Sequence, residues 1–222
     1  MDKISKIIVV GCGGIGSHFV TNLVNEVIRE QIVFDTLEIW DEDKIELKNG
    51  LYTTYVCDPE TLGQFKVNVL KKELDFSLSF SDKKLDIIAN PVNYKIEDFR
   101  SISRNTIFVS TVDGSKFRAG LLKNTDIGTL GNRNSSWIDI RSTRARFILF
   151  RSPVSIKEQE TLFPYFEDVK IENASCQLAS DLISKKVQYG NRIAAIAGIQ
   201  YIINLSRGKQ NKLIYEADFT GK

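Results

Sequence analysis

The stretch that decides the fold is "KIIVVGCGGIGSHFV", Lys6 to Val20. Ile7–Val10 is a continuous β-branched run, which suits a strand buried on both faces of a parallel sheet. It runs into Gly11, Gly13, Gly14 and Gly16, and then the apolar period becomes helical. Phe19, Val20, Leu23, Val24, Val27 and Ile28 share one face of that helix. "TLEIW", Thr36–Trp40, reads as a second strand and ends at Asp41. Strand, helix and strand within about 35 residues make a βαβ unit. Gly11, Gly13 and Gly16 form G-x-G-x-x-G at its first strand–helix junction, which is the context in which this motif holds a nucleotide. Glycines let backbone N–H groups approach phosphate closely, and the helix N-terminus adds partial positive charge.

Working outward, "LDIIANPV" (Leu85–Val92) and "NTIFVSTVDG" (Asn105–Gly114) read as further strands. Helices are expected from about Gly63, over "KIEDFRSI", and over "SKFRAGLLKNT" with Ser115 as N-cap. Asp41–Leu62 has few periodic signals and reads as a long functional loop. "SWIDIRSTRARFILF" (Ser136–Phe150) alternates, as one or two strands do, and "NKLIYEADFTG" reads as a closing strand. Between them, "VSIKEQETLFPYFEDVKIEN" reads as a crossover loop. "ASCQLASDLISKKVQYGNRIAAIAGIQYIINLSRG" reads as a long helical region with a break at Gly190. The expected fold is α/β: a Rossmann-like, mostly parallel central sheet flanked by helices, with antiparallel strands in the C-terminal half. One domain is expected over residues 1–222.

Composition narrows the function classes. A net charge of +2 gives no basic field for nucleic acid. The apolar run near the N-terminus is broken at once by glycines, so no signal peptide or membrane span is expected. Cys12, Cys57 and Cys176 form no CxxC pair, which excludes a four-cysteine structural zinc within this chain. Three widely spaced cysteines point to a reducing, cytoplasmic setting. His18 is the only histidine, too few for a multi-histidine metal site. It is expected to pack, as are Trp40, Trp137 and Cys12.

The remaining polar residues choose between nucleotides. Asp41 can accept hydrogen bonds from ribose hydroxyls, which serves NAD and ATP equally. Asp43 and Asn49 follow it, Lys66 starts the next helix, and Asp113 ends a later strand with Arg118 beyond. A redox cofactor has little need for that set. A triphosphate needs a lysine for its phosphates, an aspartate for Mg²⁺, and polar groups between them.

The order G-x-G-G-I-G-S, D-x-D-x-x-x-x-x-N, G-x-x-K, then V-D followed by R resembles the ThiF family over roughly residues 5–120. That family includes the ubiquitin-activating enzymes and related bacterial adenylyltransferases. The C-terminal segment also resembles small plasmid- or phage-associated ThiF-like proteins. The resemblance implies adenylation of a carboxylate, usually the C-terminal glycine of a small ubiquitin-like protein or peptide. Carried over, Gly11, Gly13, Gly14, Ile15 and Gly16 would hold the nucleotide, Asp41 the ribose, and Asp43 and Asn49 the ribose and phosphates. Lys66 would stabilise charge at the α-phosphate, and Asp113 would coordinate Mg²⁺. Cys176 would take the acyl group as a thioester; a packing role is the alternative. A cytoplasmic homodimer is implied, with ATP and Mg²⁺ and without zinc.

Two positions depart from the family pattern. It reads N-L-x-R-Q where this chain reads "NGLYTT", so Tyr52 replaces the arginine and Thr53 the glutamine. Tyrosine carries no fixed positive charge. Arg118, Arg141, Arg144 and Arg146 are candidate substitutes. The usual D-N is Asp113-Gly114 here. A catalytically degenerate nucleotide-binding partner protein is therefore the alternative reading, followed by an NAD(P)-dependent oxidoreductase.

Overall fold

The computed structural model describes residues 3–143, 146–166, 189–209 and 211–219. Within them lies a seven-stranded sheet of order β3-β2-β1-β4-β5-β6-β7. The strands are β1 (Lys6–Val10), β2 (Thr36–Trp40), β3 (Asp86–Asn90), β4 (Thr106–Ser110), β5 (Ser136–Thr143), β6 (Arg146–Arg151) and β7 (Ile214–Asp218). The first five pair in parallel. β6 and β7 join antiparallel. The expected mostly parallel sheet with an antiparallel C-terminal edge is what forms.

The helices are α1 (Gly14–Ile28), α2 (Lys66–Leu78), α3 (Ser115–Lys123), α4 (Ile127–Asn132), α5 (Ile156–Phe166) and α6 (Tyr189–Ser206). They cover both faces, as the apolar strands require. Ile7 and Val9 of β1 point into a core shared with Phe19 and Leu23 of α1, Leu70 of α2 and Ile199 of α6. Ile8 and Val10 point the other way, onto Phe108, Leu121, Trp137 and Leu162. Each such buried side chain contributes about 1.5–3 kcal/mol relative to exposure. Trp137 is in this second core as expected, and its Nε1 donates to Thr125 Oγ1 at 2.9 Å.

Two local expectations, the Ser115 cap and the loop over 156–166, are corrected, and the one or two strands expected at the arginines are two. The N-cap of α3 is Gly114, and no side chain caps that helix, because Ser115 is already its first helical residue. Ile156–Phe166, expected as loop, is a helix despite Pro164 within it, because Leu162 and Phe166 bury against the second core. The arginine-rich stretch folds back on itself, with Arg141↔Ile148 and Thr143↔Arg146 paired across β5 and β6. Gly190 lies in the first turn of α6. Cys176 and Arg144 lie outside the described residues, as does most of the segment before α6.

Candidate active site

β1 and β4 are adjacent but far apart in sequence, so the chain order reverses between them. In parallel α/β sheets, ligands bind beyond the carboxyl ends of the strands at such a point. A cleft of about 360 Å³ opens there.

The glycine loop forms its floor. Gly11 has φ +94°, which favours glycine, and its carbonyl accepts from Thr111 Oγ1 at 2.6 Å. A Cβ on Gly16 would fall 1.8 Å from that same carbonyl oxygen. These two glycines let the first turn of α1 close on the loop. Gly13 is different: nothing lies within 4 Å of where its Cβ would be, so it presents bare backbone. α1 has no side-chain cap, and its first N–H groups remain available.

Asp41, one residue beyond β2, is tied to this loop. Its Oδ2 accepts from Cys12 N at 2.6 Å and its Oδ1 from Asp43 N at 2.8 Å. Burial raises the Asp41 pKa, against the opposing pull of Lys66 and the two amides. Asp43 and Lys66 are brought together by an antiparallel bridge between Lys44 and Phe65. The Lys66 ammonium lies 2.6 Å from Asp43 Oδ2. Burial pulls the Lys66 pKa down, but the charges of Asp41 and Asp43 outweigh it and hold the ammonium above its ordinary value.

Asn49 is buried on a short 3₁₀ turn, Leu47–Leu51. Its Oδ1 accepts from Glu46 N at 2.7 Å, and its Nδ2 donates to the Tyr52 hydroxyl at 2.6 Å. Tyr52 therefore stands in the cleft wall where a cation was expected. Burial pushes its pKa up, so it stays neutral. Asp113 lines the cleft from the loop after β4.

Of the residues singled out in the sequence, all the cleft candidates converge except two. Gly16 lies beneath the loop and not on the cleft wall, and Cys176 is outside the described residues. Ile15 lines the cleft while buried against the core. Of the candidate replacement arginines, Arg118, Arg141 and Arg146 do not line the cleft, and Arg144 is outside the described residues. Arg141 is held by Asp139 at 2.6 Å and stacks on Phe150 and Phe166. Arg118 lies 3.8 Å from Asp139 and donates to the Val112 carbonyl. Arg146 pairs with Glu216. Among the described residues, the cations lining the cleft are Lys48 and Lys66.

Cys12 is fully buried, and burial with the Asp41 charge raises its thiol pKa well above the ordinary value. It packs. His18 is held at a pKa of about 4 by burial and by Arg192, so it is a neutral imidazole. Trp40, half-buried, packs against the second core as expected and also lines the cleft, edge-on to Tyr94 at 5.2 Å. Sequence reading also missed Asn191 of α6, which reaches the same cleft. No helical period marks it, because its position depends on how α6 packs across α1.

Residues 3–105 match the model of the ThiF family. Among solved structures, E. coli MccB with ATP aligns at a TM-score of 0.62 and 17% identity, covering 97% of this chain and 64% of that one. E. coli MccB with AMPCPP and MccA aligns at 0.62 and 16%, covering 96% and 63%. PaaA aligns at 0.59 and 12%, covering 97% and 61%. At these identities the likeness is one of fold, and this chain spans less than two thirds of the length of those proteins. No curated protein sequence matches the chain. The glycine loop, the Asp41–Asp43–Asn49 segment and Lys66 all fall inside the region that matches the ThiF family model.

Proposed function

We propose that this chain is an ATP-dependent adenylyltransferase that activates the C-terminal carboxylate of a small ubiquitin-like protein or a peptide ending in glycine. One observation carries the reading. Asp41, Asp43 and Asn49 of one loop segment, Lys66 at the start of α2 and Asp113 after β4 line the cleft that holds the glycine loop. The neighbouring MccB structures, solved with ATP and with MccA, support a nucleotide and a small peptide as the two substrates.

In this reading a carboxylate oxygen forms a bond to the α-phosphorus. The bond to the oxygen bridging to the β-phosphate breaks, and pyrophosphate leaves with that electron pair. Negative charge gathers on the oxygens around the α-phosphorus. Lys66 offsets it, already desolvated and already charged, which is what makes electrostatic stabilisation effective. Asp41 accepts from the ribose, Gly13 offers its amide to the phosphates, and Trp40 with Tyr94 gives the base an apolar wall.

Asp113 fits a magnesium ion shared with the phosphates, since Mg²⁺ is commonly held by one or two carboxylates plus substrate oxygens. No cluster of three or more ligating side chains occurs among the described residues, and a shared ion needs none. The charge balance favours it: among the described residues, Asp41, Glu42, Asp43, Glu46 and Asp113 line the cleft beside Lys48 and Lys66. Bound there, the ion would neutralise phosphate charge. Transfer to Cys176, a homodimeric assembly and a cytoplasmic setting extend the same reading. Among the described residues no helix is long and apolar enough to cross a membrane.

The test is ATP–pyrophosphate exchange in the presence of a peptide with a free C-terminal glycine. Lys66→Ala and Asp113→Ala should each slow it by about a hundredfold or more; exchange at the wild-type rate in both would refute the assigned roles. The second reading is a nucleotide-binding partner without catalysis. Tyr52, neutral and bonded to Asn49, is the observation that favours it. ATP binding with no exchange across candidate partners would support it.

A further inference from the structure

Asn191 sits in the first turn of α6, far along the chain from the glycine loop, yet it lines the same cleft. The residue is 1% exposed. Its Oδ1 accepts a hydrogen bond from Ser142 Oγ on β5, and that bond sets which way the amide faces. The amide nitrogen is turned onto the glycine loop: a Cβ added to Gly14 would fall 2.3 Å from Nδ2. Tyr52 is the next group against the same point, with Cδ2 3.4 Å from that Cβ position.

Among the described residues Nδ2 has no hydrogen-bond partner. A buried donor left unpaired is costly, and native structures keep few of them. It faces the glycine loop. Beside it is the uncapped start of α1, whose own N–H groups are donors. Donors converging from two directions describe a place for an anion. Arginine would stand near here in the family pattern, and Tyr52 cannot supply its charge.

We propose that Asn191 Nδ2, oriented by Ser142, donates a hydrogen bond to a phosphate oxygen of the nucleotide at the Gly13–Gly14 wall of the cleft. This rests on the ATP site proposed above. It gives the C-terminal half of the chain a direct part in nucleotide binding, and it gives Gly14 a second reason to lack a side chain.

Asn191→Asp separates this role from a packing or capping role. A carboxylate of the same shape would suit the start of α1 as well or better, but it would repel phosphate. Titration calorimetry with the full chain and Mg²⁺ should show ATP binding weakened at least tenfold in Asn191→Asp. Adenosine binding should stay within twofold, and the melting temperature without ligand should not fall. Ser142→Ala keeps Asn191 and frees its amide; it should lower ATP affinity several-fold, again sparing adenosine. Wild-type ATP binding in both variants, or equal loss of ATP and adenosine, overturns the inference and leaves the proposed function standing. A wild-type chain that does not bind ATP overturns the proposed function, and this inference with it.

Discussion

Lys66 is joined to Asp43 twice: its ammonium lies 2.6 Å from Asp43 Oδ2, and its backbone N–H donates to the Asp43 carbonyl oxygen at 3.0 Å. The lysine side chain is almost fully enclosed, while the aspartate side chain is two-thirds exposed. The cation is thus held at the cleft wall by a partner that can turn to solvent when phosphate arrives. Lys66→Ala should lower kcat of pyrophosphate exchange by about 10²–10³, the range for losing one positioned electrostatic donor. Asp43→Asn keeps the shape but weakens the hold, and should raise KM for ATP more than it lowers kcat. Steady-state exchange kinetics would separate the two, and an unchanged kcat in Lys66→Ala would remove the lysine from the chemistry.

The glycines of the loop should divide by role. Gly16→Ala puts a methyl group 1.8 Å from a backbone oxygen, and overpacking of this kind costs about 1–3 kcal/mol or more. Gly13→Ala meets nothing and lies at φ −76°, so stability should hold while ATP binding falls. Thermal melts with and without ATP read both effects. A stable Gly16→Ala, or a Gly13→Ala with full ATP affinity, would contradict this division.

Tyr52 is neutral and its hydroxyl accepts from Asn49. If the cleft lacks a cation there, Tyr52→Arg should raise the exchange rate tenfold or more, equivalent to about 1.4 kcal/mol of transition-state stabilisation. Tyr52→Phe loses one hydrogen bond and should cost about 1 kcal/mol of stability. A slower Tyr52→Arg enzyme would show that the tyrosine is itself the adapted residue.

His18 sets an acid limit. Burial and Arg192 hold its pKa at about 4, against an ordinary 6.5. Between those values the unfolded chain takes up a proton that the folded chain refuses, so stability falls as pH drops from about 6.5 towards 4. Above pH 6.5 both states are neutral and the effect vanishes. Melting temperature followed over this range should decline in the wild type and decline less in His18→Gln; parallel slopes would remove His18 as the cause.

Asp139 is fully buried, accepts from Ser110 Oγ at 2.8 Å, and faces both Arg118 and Arg141. Removing one member of a buried ion cluster strands the others, at about 3–5 kcal/mol. Asp139→Ala should therefore lower stability to urea by that amount. A loss under 1 kcal/mol would show that the arginines reach solvent.

The first half of the fold was legible because each level agreed. Ile7–Val10 are β-branched, the glycines follow at once, and Phe19 to Ile28 hold one helical period. Asp41, Asn49, Lys66 and Asp113 were legible because each occupies a strand end, a loop or a helix start, where spacing alone locates it. The C-terminal half resisted for physical reasons. "STRAR" contains no Gly, Asn or Asp to announce a hairpin, although Thr143 and Arg146 pair as one. Ile156–Phe166 carries Pro164 within it, and the helix there is stabilised by tertiary burial of Leu162 and Phe166. Asn191 is a long-range contact across α1 and α6, which no local pattern encodes. The fate of the arginines was equally hidden, since it depends on Asp139 and Glu216 as partners.

The central claim is that the cleft holds ATP for cleavage at the α-phosphate. It is tested most directly by the products formed when the full chain is incubated with Mg²⁺, α-labelled ATP and a carboxyl-terminal glycine peptide. The account predicts peptidyl-adenylate or AMP together with pyrophosphate, formed more slowly by about a hundredfold or more in Lys66→Ala and Asp113→Ala. ADP with orthophosphate, or the same products undiminished in those variants, would contradict it.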